Sequence, residues 1–159
     1  PPPTTSSAAS DVYKRQASAI RRCLDFKNLK VVSFGIRNLS KQEMDFYNDN
    51  RDRIEIFWGK DKQKWDLSLL DKFFKNKNVY ITFDVDGFDA SIMPATGTPE
   101  PGGMLWEEVL PIIKKVCQIS NVVGADINEL APIKNFDSYN FLVAKLAYKI
   151  ISYCFEFKN

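Results

Sequence analysis

ITFDVDGFDASIMPATGTPEPGG, at residues 81–103, passes from an apolar segment through a cluster of acids into a loop rich in proline and glycine. Its apolar start, VYITFDV at residues 79–85, predicts a strand that is buried on both faces. Asp84 and Asp86 are separated by one residue at the end of that strand, so on extended backbone their side chains share a face. We therefore expect paired carboxylates at a strand end, followed by a structured loop of the kind that often carries function.

The acids of this stretch allow two interpretations. A pair or trio of carboxylates suits a hard or borderline divalent cation such as Mn²⁺ or Mg²⁺, because anionic oxygens match the ion and the ion cancels their repulsion. Gly87 would let the backbone bring Asp89 close to Asp84 and Asp86 in such a site. Alternatively, Asp86 and Asp89 only accept hydrogen bonds from the N–H groups of a solvated turn. The spacing alone leaves both interpretations open.

Apolar periodicity outside this stretch predicts alternating helices and strands. Strands are predicted at residues 30–36, 54–58, 79–85 and 122–127. Helices are predicted near residues 20–26 and at residues 107–120 and 138–155. Two more helices are predicted to begin at the capping box of Ser40 and Glu43 and at the cap residue Asp66. This alternation predicts an α/β fold in three layers, with a mainly parallel sheet between two layers of helices. Such sheets form their sites at the carboxyl ends of the strands, where both acidic motifs lie.

The second acidic motif, GADINELAP at residues 124–132, contains the end of the predicted strand at residues 122–127. Glu129 could face the same crevice as Asp84, because the carboxyl ends of parallel strands meet at one edge of a sheet. Its carboxylate could pair there with a planar cationic group such as a guanidinium. A helix cap or a surface salt bridge is the alternative role for Glu129.

The composition favours a small molecule as the binding partner. The formal net charge is +2, from 22 Lys and Arg against 20 Asp and Glu, so no overall field favours a nucleic acid or a membrane. No apolar run approaches the roughly 18–20 residues of a spanning helix, and a signal-peptide pattern is lacking, so we expect a cytoplasmic protein.

The cysteine and histidine content limits the possible metal chemistry. Cys23, Cys117 and Cys154 stand at wide, unpatterned spacings in predicted helices, so we expect them to be reduced and to serve in packing. The chain has no histidine, which is the commonest metal ligand of proteins. A metal site built by this chain alone must therefore use oxygen or sulfur ligands.

Both acidic motifs resemble those of one enzyme family, the ureohydrolases, which include arginase and agmatinase. FDVDGFDASIMPATGTPEPGG is similar to the family signature Phe-Asp-x-Asp-Gly-x-Asp-Pro with its later Pro-x-Thr-Gly-Thr-Pro and Gly-Gly, and GADINELAP is similar to Gly-x-Asp-x-x-Glu-x-x-Pro. SFGIRNLS at residues 33–40 looks like the Gly-Ile-Arg strand end of the family. The resemblance covers residues 17–159 and implies the C-terminal portion of an arginase-like domain.

The resemblance also implies an active site with two manganese ions. Asp84 would bridge the two ions and Asp86 would chelate one of them, while a hydroxide between the ions attacks the guanidinium carbon. Thr98 and Glu129 match positions around the guanidinium, and Asp126 matches an acid that supports the ligands without binding the ions. The resemblance thus makes Asp84, Asp86 and Glu129 the candidate catalytic residues, with Asp84 and Asp86 as metal ligands and Thr98 and Glu129 as substrate-binding residues.

Glu100 and Pro101 indicate the substrate, because TGTPEPGG resembles the form common in agmatinases, whereas arginases more often have Val after TGTP. The expected reaction is hydrolysis of agmatine to putrescine and urea, a step of polyamine biosynthesis. Hydrolysis of arginine to ornithine and urea is the alternative. Ala90 and Phe88 stand where the family more often has Pro and Leu. Family members are usually oligomeric, so we expect a homo-oligomer.

The histidine-bearing metal elements of the family have no counterpart in this chain. Residues 1–16, PPPTTSSAASDVYKRQ, stand in their place and are interpreted as a non-native or disordered lead. The chain is therefore expected to be truncated on its N-terminal side. With only two acids from the full ligand set that the resemblance implies, we expect weak metal binding and no useful catalysis by this chain alone.

Two further alternatives belong to other functional classes. FDVDG is also similar to the first motif of haloacid-dehalogenase-type phosphatases, in which one Asp is the nucleophile and the next is the general acid. That motif normally continues with Thr, where this chain has Phe88 and Asp89, and it leaves the TGTPEPGG loop without a role. The other alternative is a non-catalytic fragment whose exposed sheet edge and uncovered core would make it poorly soluble.

Overall fold

A computed structural model of the chain describes residues 19–158. Close contacts group these residues into two compact units, one made of residues 19–33 and 40–55 and the other of residues 34–39 and 56–158. The expected lead at residues 1–16 and the domain boundary at residue 17 lie outside the described part of the chain.

Helices and strands alternate along the described chain, as an α/β fold requires. The elements are α1 (Ala19–Cys23), β1 (Val31–Ile36), α2 (Lys41–Asp49), β2 (Ile54–Trp58), α3 (Leu70–Phe74), β3 (Asn78–Asp84), α4 (Trp106–Ile119), β4 (Asn121–Asn128) and α5 (Asp137–Glu156), with 3₁₀ segments at Gly59–Lys64, Leu67–Leu69 and Val85–Gly87. Each predicted strand is confirmed to within a residue at either end. Of the helices within residues 19–158, none is both long and apolar enough to cross a membrane.

The helix α2 begins where the sequence predicts. Ser40 Oγ accepts the amide hydrogen of Glu43 over 3.2 Å, and Glu43 Oε2 accepts the amide hydrogen of Ser40 over 2.7 Å. These two bonds complete the predicted capping box and satisfy two N–H groups that the helix itself cannot pair.

The segment after Asp66 differs from the single helix that its apolar spacing predicts. Asp66 does cap it, because its Oδ1 accepts the amide hydrogen of Ser68 over 2.9 Å. However, the amide of Leu69 donates to the carbonyl of Asp66 over 3.1 Å, and this tighter pairing winds Leu67–Leu69 as a 3₁₀ turn before α3. The expected helix is therefore split into two short pieces.

Strands β3 and β4 run parallel, and their register aligns the two acidic motifs. Thr82 lies opposite Asp126, and Asp84 lies opposite Asn128. β1 pairs with β2 in a second sheet, so the strands of residues 19–158 form two sheets of two strands each. Because β3 and β4 end at the same edge, the residues that follow Asp84 and Asn128 are brought together.

One face of β3 is open to solvent, so the prediction of a strand buried on both faces is wrong. Phe83 is 8% exposed, whereas Tyr80, on the opposite face, is 59% exposed. Thr82 and Asp84 are also exposed on that face. Tyr and Thr favour strands whether or not a second layer covers them, so the apolar run could not distinguish the two cases.

The start of the loop at residues 91–103 is anchored in the core of the second unit. The largest side chains that are fully buried are Phe88, Leu70, Met93, Leu146, Val85 and Val109. Burial of a side chain the size of Phe or Met contributes roughly 1.5–3 kcal/mol. Phe88 and Met93 thus fix the chain on either side of Asp89, and α4, which carries Val109, packs against α3 and α5.

Candidate functional site

An acid turn, residues 84–89, follows β3. Asp84 ends the strand, and its Oδ1 accepts the amide hydrogen of Asp86 over 3.0 Å. The amide of Phe88 then donates to the carbonyl of Val85 over 3.2 Å, which closes the 3₁₀ segment. The side chain of the first acid thus folds the backbone that carries the second acid, as Asp commonly does in turns.

Thr98 is brought to this turn by the loop at residues 91–103. Its Oγ1 donates a hydrogen bond to Asp86 Oδ2 over 2.8 Å. Two of the predicted site residues are therefore in direct contact. A hydrogen bond from a neutral hydroxyl to a carboxylate also orients the acid, because it fixes one of its two oxygens.

Asp89 is engaged by the loop, and does not join Asp84 and Asp86 in the trio of metal ligands that the sequence allows. Its Oδ1 accepts the amide hydrogen of Ser91 over 2.9 Å, and its Oδ2 accepts those of Gly102 and Gly103 over 2.7 and 3.1 Å. Hydrogen bonding from Ser91 and then from the two glycines lowers the pKa of Asp89 to about 2. For this residue the interpretation as an acceptor of loop N–H groups is correct.

The base of the loop is closed by main-chain bonds beside Asp89. The amide of Met104 donates to the carbonyl of Gly87 over 2.9 Å, and the amide of Asp89 donates to the carbonyl of Met104 over 2.9 Å. Gly103 is needed at this crossing, because a Cβ on it would lie 2.5 Å from the main-chain carbonyl of Phe88. Residues 87–89 and 103–104 therefore pack backbone against backbone.

Glu129, the first residue after β4, has a backbone φ of +64°. This left-handed conformation is uncommon for residues other than Gly, Asn and Asp, and such strain is concentrated at functional sites. Glu129 does not cap a helix, because α5 begins only at Asp137, and it forms no ion pair with any residue of the described chain. Neither alternative role for Glu129 is therefore supported.

The chain after Glu129 is tied to the loop that carries Thr98. Leu130 forms an antiparallel bridge with Thr96, and the amide of Ala131 donates to the carbonyl of Ala95 over 2.9 Å. These contacts draw the end of β4 towards the acid turn, as the shared strand edge predicts.

The carboxyl group of Asp84 shows how crowded with acids this edge is. Partial burial of the group, together with the negative charges of Asp86 and Glu129, raises its pKa to about 6 against the opposing effect of the Asp86 amide. Asp86 and Glu129 therefore each lie near enough to Asp84 to repel its carboxylate. A proton or a cation in their midst would relieve that repulsion.

Asp126 faces the open side of the sheet among polar neighbours. Its Oδ1 accepts a hydrogen bond from Thr82 Oγ1 over 2.8 Å and another from Asn128 Nδ2. Hydrogen bonding to Asp126 raises the pKa of Tyr80, because it favours the protonated phenol. Asp126 is thus held by side chains of β3 and β4.

Arg37 is a site residue for which the sequence predicts no role, although it ends the motif that resembles the Gly-Ile-Arg strand end. Its Nη2 donates to the carbonyl of Asp86 over 2.6 Å, and its Nη1 donates to the carbonyl of Gly35 over 3.0 Å. Its Nε lies 3.6 Å from Glu100 Oε2. Only the position of Arg37 directly after β1 could have pointed to it.

An open cleft of about 420 Å³ borders this arginine. It is lined by Arg37, Gly59, Lys60, Lys62, Gln63, Pro101 and Gly102. Lys62 Nζ donates to the carbonyl of Gly103 over 2.8 Å and to Glu108 Oε2 over 3.0 Å, so its charge is already engaged. The cleft adjoins the end of the loop, and its lining excludes the acids of the acid turn.

The described residues contain part of a donor set for a divalent cation. Asp84 Oδ1 accepts the Asp86 amide hydrogen, Asp86 Oδ2 accepts the Thr98 hydroxyl, and the two carboxyl groups lie within hydrogen-bonding reach of each other. Anionic oxygens suit manganese, so these two side chains are suitable ligands for that ion but supply only part of its coordination sphere. No group of three or more His, Cys, Asp or Glu side chains among residues 19–158 is arranged to hold a metal.

The chain matches known proteins over most of its length. The sequence model of the Arginase family matches residues 4–153. The N(1)-aminopropylagmatine ureohydrolase of Synechocystis sp. is 36% identical over 140 aligned residues, and the match covers 86% of this chain and 44% of that protein. The crystal structure of the agmatine ureohydrolase of Thermoplasma volcanium has a TM-score of 0.71 at 30% identity and covers 85% of this chain and 46% of its own.

A more distant structure shares the fold. An arginase-like triple mutant of T. brucei, bound with Mn²⁺, has a TM-score of 0.71 at 21% identity and covers 84% of this chain and 45% of its own. The predicted arginase-like α/β fold is therefore confirmed. The chain spans about half the length of the proteins that it matches.

Proposed function

This chain belongs to the arginase family, and from that membership we propose that it supplies the acid turn of a two-manganese site that hydrolyses a linear guanidino compound. The observation that carries the proposal is the meeting of Asp84, Asp86 and Thr98 at one turn, with Glu129 close enough to raise the pKa of Asp84. Crowded carboxylates of this kind favour a bound cation. No comparison favours the haloacid-dehalogenase alternative.

Asp84 and Asp86 are the proposed metal ligands. Asp84 and Asp86 would hold the manganese through their carboxylate oxygens, and the Asp86 amide and the Thr98 hydroxyl already orient these two groups. Bound manganese would lower the pKa of a water molecule and stabilise developing negative charge. Asp126 would support the ligands from the neighbouring strand without binding an ion.

Glu129 and Thr98 are the proposed contacts of the guanidinium group. The Glu129 carboxylate can accept two parallel N–H bonds from a planar guanidinium, the geometry that makes such pairs strong. The Thr98 hydroxyl already donates to Asp86, so its lone pairs remain free to accept an N–H of the substrate. Together they would hold the guanidinium carbon over the acid turn.

Agmatine is the proposed substrate, with putrescine and urea as products. The TGTPEPGG segment supports it, and so does the name of the Thermoplasma relative. N(1)-aminopropylagmatine is the second candidate, because the Synechocystis relative is named for it. Arginine is the third. The protein would act on this small molecule in the cytoplasm, as part of a homo-oligomer.

The chain by itself is proposed to bind manganese weakly and to be inactive. It contains no histidine, and its described residues hold no complete metal cluster. Two carboxylates bind a divalent ion far less tightly than a full ligand set does, because most of the coordination sphere then remains water.

The test is urea release by manganese-loaded protein from the full open reading frame, with agmatine, N(1)-aminopropylagmatine and arginine offered in parallel. We expect agmatine to give the highest kcat/KM. Asp86→Asn should lower kcat by about a hundredfold or more, since removing a metal ligand affects the chemical step directly. Asp45→Asn, at an exposed position on α2, is the matched control and should leave the rate unchanged. Urea from none of the three compounds would refute the proposal.

A further inference from the structure

We propose that Arg37 is a positioning residue for the acid turn, and that it acts by holding the main chain of Asp86. The link to a metal rests on the function proposed above. The side chain of Arg37 is only 13% exposed, and its shortest contact is the bond from Nη2 to the Asp86 carbonyl over 2.6 Å. A charged donor at this distance makes a strong hydrogen bond.

Asp86 is restrained by three separate groups, one on each of its polar parts. Its amide donates to Asp84 Oδ1 over 3.0 Å, its carboxylate accepts from Thr98 over 2.8 Å, and its carbonyl accepts from Arg37. Gly87 follows it directly and allows the peptide plane to rotate easily. Arg37 supplies the restraint that opposes this rotation, because a turned carbonyl would lose its donor.

Arg37 bonds two separate segments of the chain at once, which a lysine could not do. Nη1 bonds the carbonyl of Gly35 on β1, while Nη2 bonds the carbonyl of Asp86 after β3. The guanidinium is planar, so fixing one of these nitrogens aims the other. The end of β1 thereby sets the position of the acid turn.

Glu100 keeps the guanidinium in place. Its Oε2 lies 3.6 Å from Arg37 Nε, which is buried and makes no hydrogen bond, and its Oε1 accepts from Asn38 Nδ2. The main-chain carbonyl of Glu100 also accepts the amide of Ala90 over 3.3 Å. The acid of TGTPEPGG therefore serves the loop and Arg37, which gives this residue a role other than substrate contact.

Two measurements on the chain test this role. One is amide hydrogen exchange, and the other is the affinity for Mn²⁺, obtained from the EPR signal of the free ion. Arg37→Ala should speed exchange at the amides of Asp86 and Phe88 by about tenfold or more, the factor expected for one lost charge-assisted bond. Amides in β4 and α5 should keep their rates, which excludes a general loss of stability. The Kd for Mn²⁺ should rise by a similar factor.

Three further variants sharpen the result. Arg37→Lys should fall between wild type and Arg37→Ala, since one ammonium can reach only one of the two carbonyls. Glu100→Gln should shift the same amides by a smaller factor. Arg51→Ala removes an exposed arginine that bonds Asn48, and it should leave the acid turn unchanged.

Unchanged amide exchange at Asp86 and Phe88 in Arg37→Ala would overturn the inference. If the wild-type chain binds Mn²⁺, an Arg37→Ala variant that exchanges faster but keeps the wild-type Mn²⁺ affinity would overturn it too. A wild-type chain that binds no Mn²⁺ even at millimolar concentration would instead count against the proposed metal ligands. In that case the exchange rates would still decide whether Arg37 holds the turn.

Discussion

Asp89 Oδ2 accepts the amide hydrogen of Gly102 over 2.7 Å, which ties the acid turn to the far end of the loop that follows it. Thr98, which contacts Asp86, lies within the stretch that this bond closes. The third acid of DVDGFD thus organises the loop, while the first two, Asp84 and Asp86, are the proposed metal ligands.

Replacing Asp89 with Asn should loosen the loop. The pKa of Asp89 is lowered to about 2 by hydrogen bonds to the ionised form, so its contribution to stability is present above its unfolded pKa near 3.8 and is lost as the pH falls towards 2. We expect Asp89→Asn to cost about 1 kcal/mol at pH 7, discounted for exposure, and the difference to shrink below pH 4. Urea denaturation at pH 7, 4 and 3 measures it. A cost independent of pH would contradict this account.

Gly103 should tolerate no side chain. A Cβ at this position would lie 2.5 Å from main-chain atoms of Phe88. These atoms cannot move without breaking the backbone contact between residues 87–89 and 103–104. We expect Gly103→Ala to lower the free energy of unfolding by roughly 2–4 kcal/mol. Gly97→Ala, with no atom within 4 Å of its Cβ, is the matched control and should change stability by less than about 0.5 kcal/mol. Similar Tm values for the two variants would refute this prediction.

Most of the local structure could be predicted because its signals are local. The capping box of Ser40 and Glu43 and the apolar runs of the strands depend on neighbours in sequence, and the structure has them in place. The open face of β3 could not be predicted, since an apolar strand has the same composition whether or not a second layer covers it.

The candidate site likewise contains residues that the sequence predicts and residues that it does not. Motif resemblance was enough to select Asp86 and Thr98, which meet in the structure. Motifs alone do not predict the role of Arg37, because its contact with Asp86 joins positions 49 residues apart and nothing in a single sequence marks such a pair. The left-handed backbone of Glu129 is likewise invisible in the sequence, as it follows from where β4 ends.

Asp84 should destabilise the metal-free chain at neutral pH. Its folded pKa is raised to about 6, so the folded state binds the proton more tightly and loses stability as the pH rises from about 4 to about 6. We expect Asp84→Asn to stabilise the metal-free chain by up to about 1 kcal/mol above pH 6.5, after allowance for solvent screening, and to have little effect below pH 4. Thermal melts in chelator across this range measure it. Destabilisation at pH 7.5 would contradict the prediction, and Asp45→Asn is the control.

Cys117 on α4 and Cys154 on α5 should form a disulfide when the chain is oxidised. Their Sγ atoms lie 3.8 Å apart, although the wide spacing of the two cysteines along the chain does not indicate a pair. With oxidised glutathione, the more accessible Cys154 would form a mixed disulfide and release one glutathione, and Cys117 would then displace the second. Burial raises the pKa of Cys117 to about 12, so this last step should be slow at pH 7 and faster at pH 9, because the thiolate is the nucleophile.

The thiols of Cys117 and Cys154 should then be joined without bound glutathione, whereas the exposed Cys23 should keep one glutathione as a mixed disulfide. The closed loop should raise the free energy of unfolding by about 3–4 kcal/mol, less any strain. Thiol titration and peptide mapping without reductant measure the product, and urea denaturation measures the gain. Cys154→Ser should block the crosslink and leave Cys117 unmodified, because Cys117 is buried. A peptide map without the Cys117–Cys154 crosslink after prolonged oxidation at pH 9 would show that α4 and α5 do not approach as closely as these sulfur atoms indicate.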